Sequence, residues 1–378
     1  MLQELKRTRY SYISFAKVIG ITGVTLYHCI VFFLGSPFVP LQAGETSKIV
    51  IFINPFFDAL FVPGFIFCSG FLFAKGAKSG KRSYGKTLWE RLTRLLIPYY
   101  VVGTVWLVPM YTIFDIPCYG RPEHAGFLEG FKAMLLGQFS DHLWFLWGLF
   151  WATLLFCLLL PLCRNEKLHP ILFVIITAVS VLEQLYITGI PYFKLFSAAS
   201  YNWVFFVGMI CYYYRFHFFN IKRPILWGLL AATVMLLVAL LYAPIGQNLP
   251  EAESIQYKLI TLGLDVLGWL KYAAGGFTIF LIAVMMERYG VMEKFFQTKV
   301  WDYTFRHNMD LYLFNLPLPH LFFMLFYQKL HLPMWPTIIL ITVCTFPSLY
   351  LLVGVVGKLG VLIRSGFSRL TGSKVENE

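Results

Sequence analysis

The chain has 378 residues, of which 58% are hydrophobic and only 13% are charged. Soluble domains carry roughly 25% charged residues, so this composition excludes an ordinary soluble protein and indicates an integral membrane protein. A net charge of +12 can indicate a nucleic-acid partner, and the positions of the basic residues along the chain decide whether it does so here.

Long apolar segments recur along the whole chain and predict membrane-spanning helices. A helix that crosses the hydrocarbon core needs about 20 residues, with a range of roughly 17–25. By this measure the sequence predicts about ten spans, centred near residues 23, 63, 104, 153, 179, 206, 234, 277, 315 and 350. We therefore expect an all-α, polytopic membrane protein in which residues 1–378 form a single transmembrane domain.

The basic residues follow one side of the membrane. Alternate connections, beginning with the N-terminal one, hold 23 of the 31 Lys and Arg residues, the opposite connections hold six, and Lys17 and Lys271 lie inside spans. Cytoplasmic connections are enriched in Lys and Arg. The pattern predicts that both termini are cytoplasmic. It also argues against nucleic acid as a partner, because membrane topology explains the basic excess.

The first span carries two ionisable residues, Lys17 and His28, which are eleven residues apart. At about 100° and 1.5 Å per residue, they share one helix face and are separated by about 16.5 Å along the axis. Ionisable groups inside spans are costly and commonly functional, so the pair is a candidate site. The structural alternative is that Lys17 reaches back to the cytoplasmic surface and His28 only bonds a neighbouring helix.

A basic cluster opens the third predicted span in the segment KTLWERLTRLL, which contains Lys86, Arg91 and Arg94. Arg presents planar, paired donors that suit phosphate groups. These three residues are therefore a candidate phosphate clamp on the cytoplasmic side. Anchoring to anionic lipid is the alternative.

The fourth predicted span begins with HLWFL, which places His142 at about the outward depth of His28. The neighbouring Trp144, Trp147 and Trp151 are also typical of an interfacial aromatic belt. His142 is a further candidate catalytic residue.

Five other polar residues lie inside predicted spans, where each either lines a cavity or pairs within the bundle: Asp58, Glu183, Lys271, Asp310 and Asn315. The sequence contains no P-loop, Rossmann glycine pattern, HExxH or GxSxG motif, and its seven cysteines show no metal-ligand spacing. We therefore expect neither nucleotide-driven pumping nor a metal cofactor.

Four motifs in order resemble the acyltransferase 3 family, bacterial integral-membrane enzymes that O-acylate surface glycans and related acceptors. Lys17 and His28 match its basic residue and histidine separated by ten residues. FVPGFIFCSGFLF resembles its second-helix signature, RLTRLLIPYY its Arg-x-x-Arg with a following Pro-Tyr, and HLWFL its fourth-helix motif. The rest of the chain is matched mainly by span count and by LYLFNLP.

Three positions depart from the family pattern. Lys17 stands where the family commonly has Arg, and Ser14 where it has Asp. Asn315 replaces a histidine of its late motif.

The resemblance implies an acyl-CoA donor on the cytoplasmic side, most often acetyl-CoA, and a sugar hydroxyl of a surface or lipid-linked glycan as acceptor. It places the protein in the bacterial cytoplasmic (inner) membrane. Arg91 and Arg94, with Lys86 nearby, would bind the phosphates of CoA. His28, supported by Lys17, would act either as a general base or as a transient acyl carrier.

Two other functions compete with this interpretation. A transporter or flippase for lipid-linked glycans would use the polar stripe of the first span as a pathway, without making a bond. A non-catalytic membrane scaffold would need Lys17 and His28 only for folding.

Overall fold

The computed structural model describes residues 11–35, 41–80, 83–117, 126–138, 141–187, 192–193, 198–242, 254–291, 294 and 297–371. All regular structure in these ranges is helical, which confirms the predicted all-α class. In chain order the helices are α1 (Ser11–Ile30), α2 (Lys48–Lys78), α3 (Tyr84–Ile113), α4 (Phe127–Leu135), α5 (Trp144–Leu158), α6 (Leu160–Arg164), α7 (His169–Tyr186), α8 (Ala199–Tyr213), α9 (Arg215–Asn220), α10 (Arg223–Tyr242), α11 (Ile255–Arg288), α12 (Lys299–Arg306), α13 (Asn308–Phe314), α14 (Leu318–Phe323) and α15 (Met334–Thr371).

Seven helices in the described ranges are long and apolar enough to cross a membrane: α1, α2, α3, α7, α10, α11 and α15. An eighth span is formed if α13 and the segment Leu318–Lys329, which are bent by 47° relative to each other, count as one broken helix. The two remaining predicted centres fall in α5 and α8, which have 15 residues each. These are shorter than a full crossing, so the total of ten spans stays a prediction.

Basic residues at two helix ends bond to segments that are distant in the chain. Lys78 at the end of α2 forms an ion pair with Glu166, with 2.8 Å between Nζ and Oε1. Arg288 at the end of α11 donates to the Ile221 carbonyl just before α10. Each contact joins two helix ends that the charge pattern assigns to the same membrane face, whereas the cytoplasmic location of the termini stays a prediction.

Glycines bring the central helix α2 into backbone contact with α8 and α11. A Cβ atom added at Gly70 of α2 would lie 2.0 Å from the Phe205 carbonyl oxygen, and one at Gly208 of α8 would lie 2.1 Å from that of Phe67. A Cβ atom added at Gly275 of α11 would lie 1.8 Å from the Ala59 carbonyl oxygen of α2. Small residues allow such close approach between helices in membranes. The Ser-Gly-Phe-Leu signature therefore marks a helix crossing.

This crossing predicts that Gly208→Ala destabilises the bundle, because the added methyl group meets backbone that cannot move aside. Overpacking of this kind costs about 1–3 kcal/mol. Gly228→Ala in α10 is the matched control, since no atom lies within 4 Å of its added Cβ. We expect a lower thermal midpoint in detergent for the first variant and an unchanged or slightly higher one for the second. Equal midpoints would contradict the packing argument.

Candidate functional site

A cavity of about 130 Å³ lies between α1, α2, the start of α5 and α13. Its polar lining includes His28, Asp58, His142 and Tyr312. The other lining residues are mostly apolar or aromatic: Val24, Tyr27, Phe57, Val62, Trp144 and Phe145. An apolar pocket with a few convergent polar groups is the usual form of a small-molecule site.

The structure brings together two of the predicted catalytic residues, His28 and His142. Their ring centroids are 6.0 Å apart and their planes are nearly perpendicular. His142 occupies a short 3-10 turn, Asp141–Leu143, that leads into α5. Tyr312 holds this turn in place, because its hydroxyl donates to the His142 carbonyl and its ring packs 5.4 Å from the imidazole.

The break between α13 and α14 fixes the tautomer of His142. Proline has no N–H, so Pro317 leaves the Leu313 carbonyl, four residues earlier, without a helical donor. His142 Nε2 lies 3.3 Å from that oxygen. A carbonyl oxygen only accepts, so Nε2 carries the proton in the neutral ring and Nδ1 keeps a lone pair.

Both histidines keep one ring nitrogen available. Nδ1 of His142 and Nδ1 of His28 are buried and have no hydrogen-bond partner in the described part of the chain. A buried polar atom left unpaired costs about 1–3 kcal/mol. Such a cost is expected at a site that a substrate completes, and an imidazole lone pair is a base suited to proton transfer near neutral pH.

Asn315 connects α13 to the His28 region of α1. Its Nδ2 donates to Thr25 Oγ1 at 3.0 Å, and the Thr25 hydroxyl donates in turn to the Ile21 carbonyl. The Asn315 side chain also lies beside the His28 ring. The amide that replaces the family's late histidine is therefore part of the site.

Asp58 stands on the cavity wall and is held from α11. Lys271 Nζ and the Tyr272 hydroxyl each lie 3.1 Å from Asp58 Oδ2. The Asp58 side chain is 45% exposed, which puts it at the edge of the cavity. The sequence left open whether Asp58 and Lys271 line a cavity or only pair, and Asp58 does both.

Lys17 does not reach the cavity. It lies about 16.5 Å from His28 along α1, where its backbone carbonyl accepts from Asn308 Nδ2 at 3.1 Å. Its side chain is half-buried, and its charge acts on the Cys68 thiol of α2. Lys17 can therefore support His28 only from a distance.

The three predicted phosphate-binding residues lie at the far end of α3 from the histidines. Arg91 is half-buried and lines a small cavity of about 10 Å³ against α5, at the level of Thr153. Thr153 comes eleven residues after His142, which places Arg91 about 16.5 Å from the level of His142 along the axis of α5. Lys86 and Arg94 are exposed. The turn Leu92–Leu96 is a π-helix, so Arg91 and Arg94 have different surroundings despite their i, i+3 spacing.

Sequence reasoning missed His320 in α14. Its side chain is buried between Phe32 and Tyr111, its Nδ1 has no partner among the described residues, and it is close enough to His28 and His142 to interact electrostatically. The segment LPLPHL was the available signal, because prolines that interrupt a span free backbone groups and attract polar side chains. Within the described ranges, no group of three or more His, Cys, Asp or Glu side chains is arranged to hold a metal ion.

Residues 10–354 match the family model described as an acyltransferase domain, the acyltransferase 3 model. The chain belongs to the acyltransferase 3 family. No curated protein and no solved structure matched the chain. The family identifies a multi-pass membrane acyltransferase, which favours acyl transfer over the transport and scaffold alternatives.

The two amides of α13 allow the role of Asn315 in the site to be tested. Asn308 and Asn315 each donate Nδ2 to α1, but only Asn315 adjoins His28. We expect Asn315→Ala to lose about 1–3 kcal/mol of stability and at least about 10-fold in acyl transfer. Asn308→Ala should lose stability with little change in acyl transfer. Equal activity losses in the two variants would show that both act only through folding.

Proposed function

We propose that this protein is an O-acyltransferase of the bacterial cytoplasmic membrane. It moves an acyl group, most simply acetyl, from acyl-CoA to a sugar hydroxyl of a surface or lipid-linked glycan. Residues 1–378 act as one transmembrane domain, with no metal. The observation that carries the proposal is the pair of facing imidazoles, His28 and His142, in a cavity lined by aromatic side chains.

The pair supplies the proton transfers that acyl transfer requires. One imidazole lone pair accepts the proton of the acceptor hydroxyl while the oxygen attacks the thioester carbonyl carbon. As the carbon–sulfur bond breaks, the imidazolium returns the proton to the CoA thiolate. His142 Nδ1 is a candidate base, because Nε2 is committed to the Leu313 carbonyl.

A covalent route uses the same residues. A His28 ring nitrogen attacks the thioester carbonyl carbon, the carbon–sulfur bond breaks, and the proton of the other ring nitrogen goes to the CoA thiolate, which leaves a neutral acyl-imidazole. The acceptor oxygen then attacks the acyl carbon, the carbon–nitrogen bond breaks, and the acceptor proton passes through His142 back to His28. In this route His142 is the base that takes the proton from the acceptor. The direct route requires an unprotonated ring nitrogen on one of the two histidines, and the covalent route requires one on each.

The donor phosphates suit the basic end of the bundle. Arg91 and Arg94, with Lys86 nearby, offer charge-assisted hydrogen bonds to phosphate. The long thioester arm of CoA would then extend along α1, past Lys17, toward His28. Lys17 contributes a cationic group along this path, where its point charge attracts the donor without a bidentate contact.

The histidine assignment predicts that His28→Gln and His142→Gln each lower acyl transfer by at least about 100-fold, the usual scale of general acid–base catalysis. His169→Gln is the matched control. His169 is buried like His142, its Nε2 also lies 3.3 Å from a backbone carbonyl oxygen, and its Nδ1 is also unpaired among the described residues, but it lies outside the cavity. Transfer of labelled acetyl from acetyl-CoA into the glycan fraction of membranes measures the effect. A normally folded His28→Gln protein with full activity would contradict the proposal.

The donor assignment predicts that CoA and acetyl-CoA stabilise the purified protein. At about 100 times the dissociation constant, the gain is about 2.7 kcal/mol. The double variant Arg91→Ala with Arg94→Ala should lose the thermal shift. The control is Lys222→Ala with Arg223→Ala, a pair of exposed basic residues at the start of α10, which should keep it. Loss of the shift in both double variants would indicate general charge attraction, and no shift in wild type would argue against acyl-CoA as donor.

A further inference from the structure

The Asp58 carboxylate is held at the cavity edge with one oxygen occupied. Both of its donors, Lys271 and Tyr272, bond Oδ2. No hydrogen bond to Oδ1 is formed within the described residues. Asp58 therefore presents an acceptor oxygen at a fixed place, and its charge is balanced by Lys271 from behind.

Aromatic rings beside Asp58 are held by a second set of contacts. Trp144, on the cavity wall, stacks on Tyr201 at 5.5 Å, and Tyr201 packs 5.4 Å from Tyr272. Tyr272 is also the donor to Asp58. One row of contacts thus fixes both the carboxylate and an aromatic face, and such fixed groups bind a ligand with little ordering cost.

A carboxylate whose charge is already balanced by Lys271, beside aromatic faces, suits a ring that carries hydroxyl groups. Hydroxyl groups donate to carboxylate oxygen, and the C–H face of a sugar ring carries partial positive charge that suits the negative face of an aromatic ring. We propose that Asp58, with Trp144 and Tyr27, forms the acceptor subsite and binds a neutral, hydroxyl-rich sugar ring. This inference rests on the proposed function and specifies its acceptor.

The charge of the subsite selects against acidic sugars. Lys271 is committed to Asp58, so no net positive charge remains to receive a second carboxylate. A uronic acid bound here would place its own carboxylate near the Asp58 carboxylate, and two neighbouring negative charges repel each other. Asp58 is thus a specificity-determining residue, and it acts on the affinity for the acceptor without affecting the donor.

The test uses purified full-length protein with acetyl-CoA and hexyl glycosides of glucose, galactose and mannose, beside the matching uronic acids. Wild type should acylate at least one neutral glycoside and prefer it to its uronic acid. Asp58→Asn should raise the KM for that glycoside about 10-fold or more, the scale of one charge-assisted hydrogen bond. The KM for acetyl-CoA should not change, and the preference over the uronic acid should shrink.

Two further variants distinguish a weakened acceptor contact from misfolding as the cause of a raised KM. Asp58→Asn with Lys271→Gln removes both charges, so no unpaired lysine is left, and it should show the same raised KM. Tyr272→Phe removes one donor and should change the acceptor KM in the same direction by less. Glu166→Gln is the matched control, because it breaks an ion pair at the other end of the bundle whose carboxylate is also 45% exposed.

An unchanged acceptor KM in both Asp58 variants, or equal use of neutral and acidic glycosides by wild type, would overturn the acceptor subsite and leave the proposed function standing. CoA binding by wild type without transfer to any neutral glycoside would also overturn the subsite. Neither CoA binding nor transfer to any glycoside would contradict the proposed function and the subsite together.

Discussion

Backbone groups released by the break between α13 and α14 must find partners inside the bundle, because lipid offers none. Pro317 deprives the Leu313 carbonyl of its helical donor, and His142 Nε2 takes that place. Trp106 of α3 donates to the Leu316 carbonyl at 2.9 Å. The break therefore determines which nitrogen of His142 is protonated and ties α3 and α5 to α13. A sequence feature that interrupts a span thus leaves the Nδ1 lone pair of His142 unpaired, within the described residues, at the cavity.

The same short helix aligns the site with α1. Asn308 at its start bonds the Lys17 carbonyl, and Asn315 at its end bonds Thr25, so α13 is attached to α1 at two levels. Tyr312, between them, reaches across to His142. On the other side of the cavity, the glycine contacts of α2 with α8 and α11 set the position of Asp58 and its partners. The cavity is bounded by two rigid packings, so its side chains have little freedom to move apart.

Local spacing predicted relations that lie within single helices. The eleven-position separation of Lys17 and His28 along α1, and the depth proposed for His142, followed from helix geometry and span position. The His142–Leu313 bond joins residues 171 positions apart, and no local pattern reports it. His320 was missed for the same reason. The π-helix at Leu92–Leu96 also changed the relation between Arg91 and Arg94, because i, i+3 reasoning assumes regular α-helix. Asn315 stood out in the sequence as a departure, and only tertiary contacts give the amide a function.

Two polar groups at the cavity, His142 and Asp58, share one arrangement: each is fixed through one atom and open at another. His142 is bonded through Nε2 and leaves Nδ1 unpaired, and Asp58 is bonded through Oδ2 and leaves Oδ1 without a bond in the described ranges. Fixing the first atom removes rotational freedom before a substrate arrives. The open atom of His142 is buried, so a ligand that bonds it recovers part of the cost of burying it. The position of each open atom is therefore set by residues that are not part of the cavity lining, such as Lys271 and Tyr272 for Asp58 and Pro317 for His142.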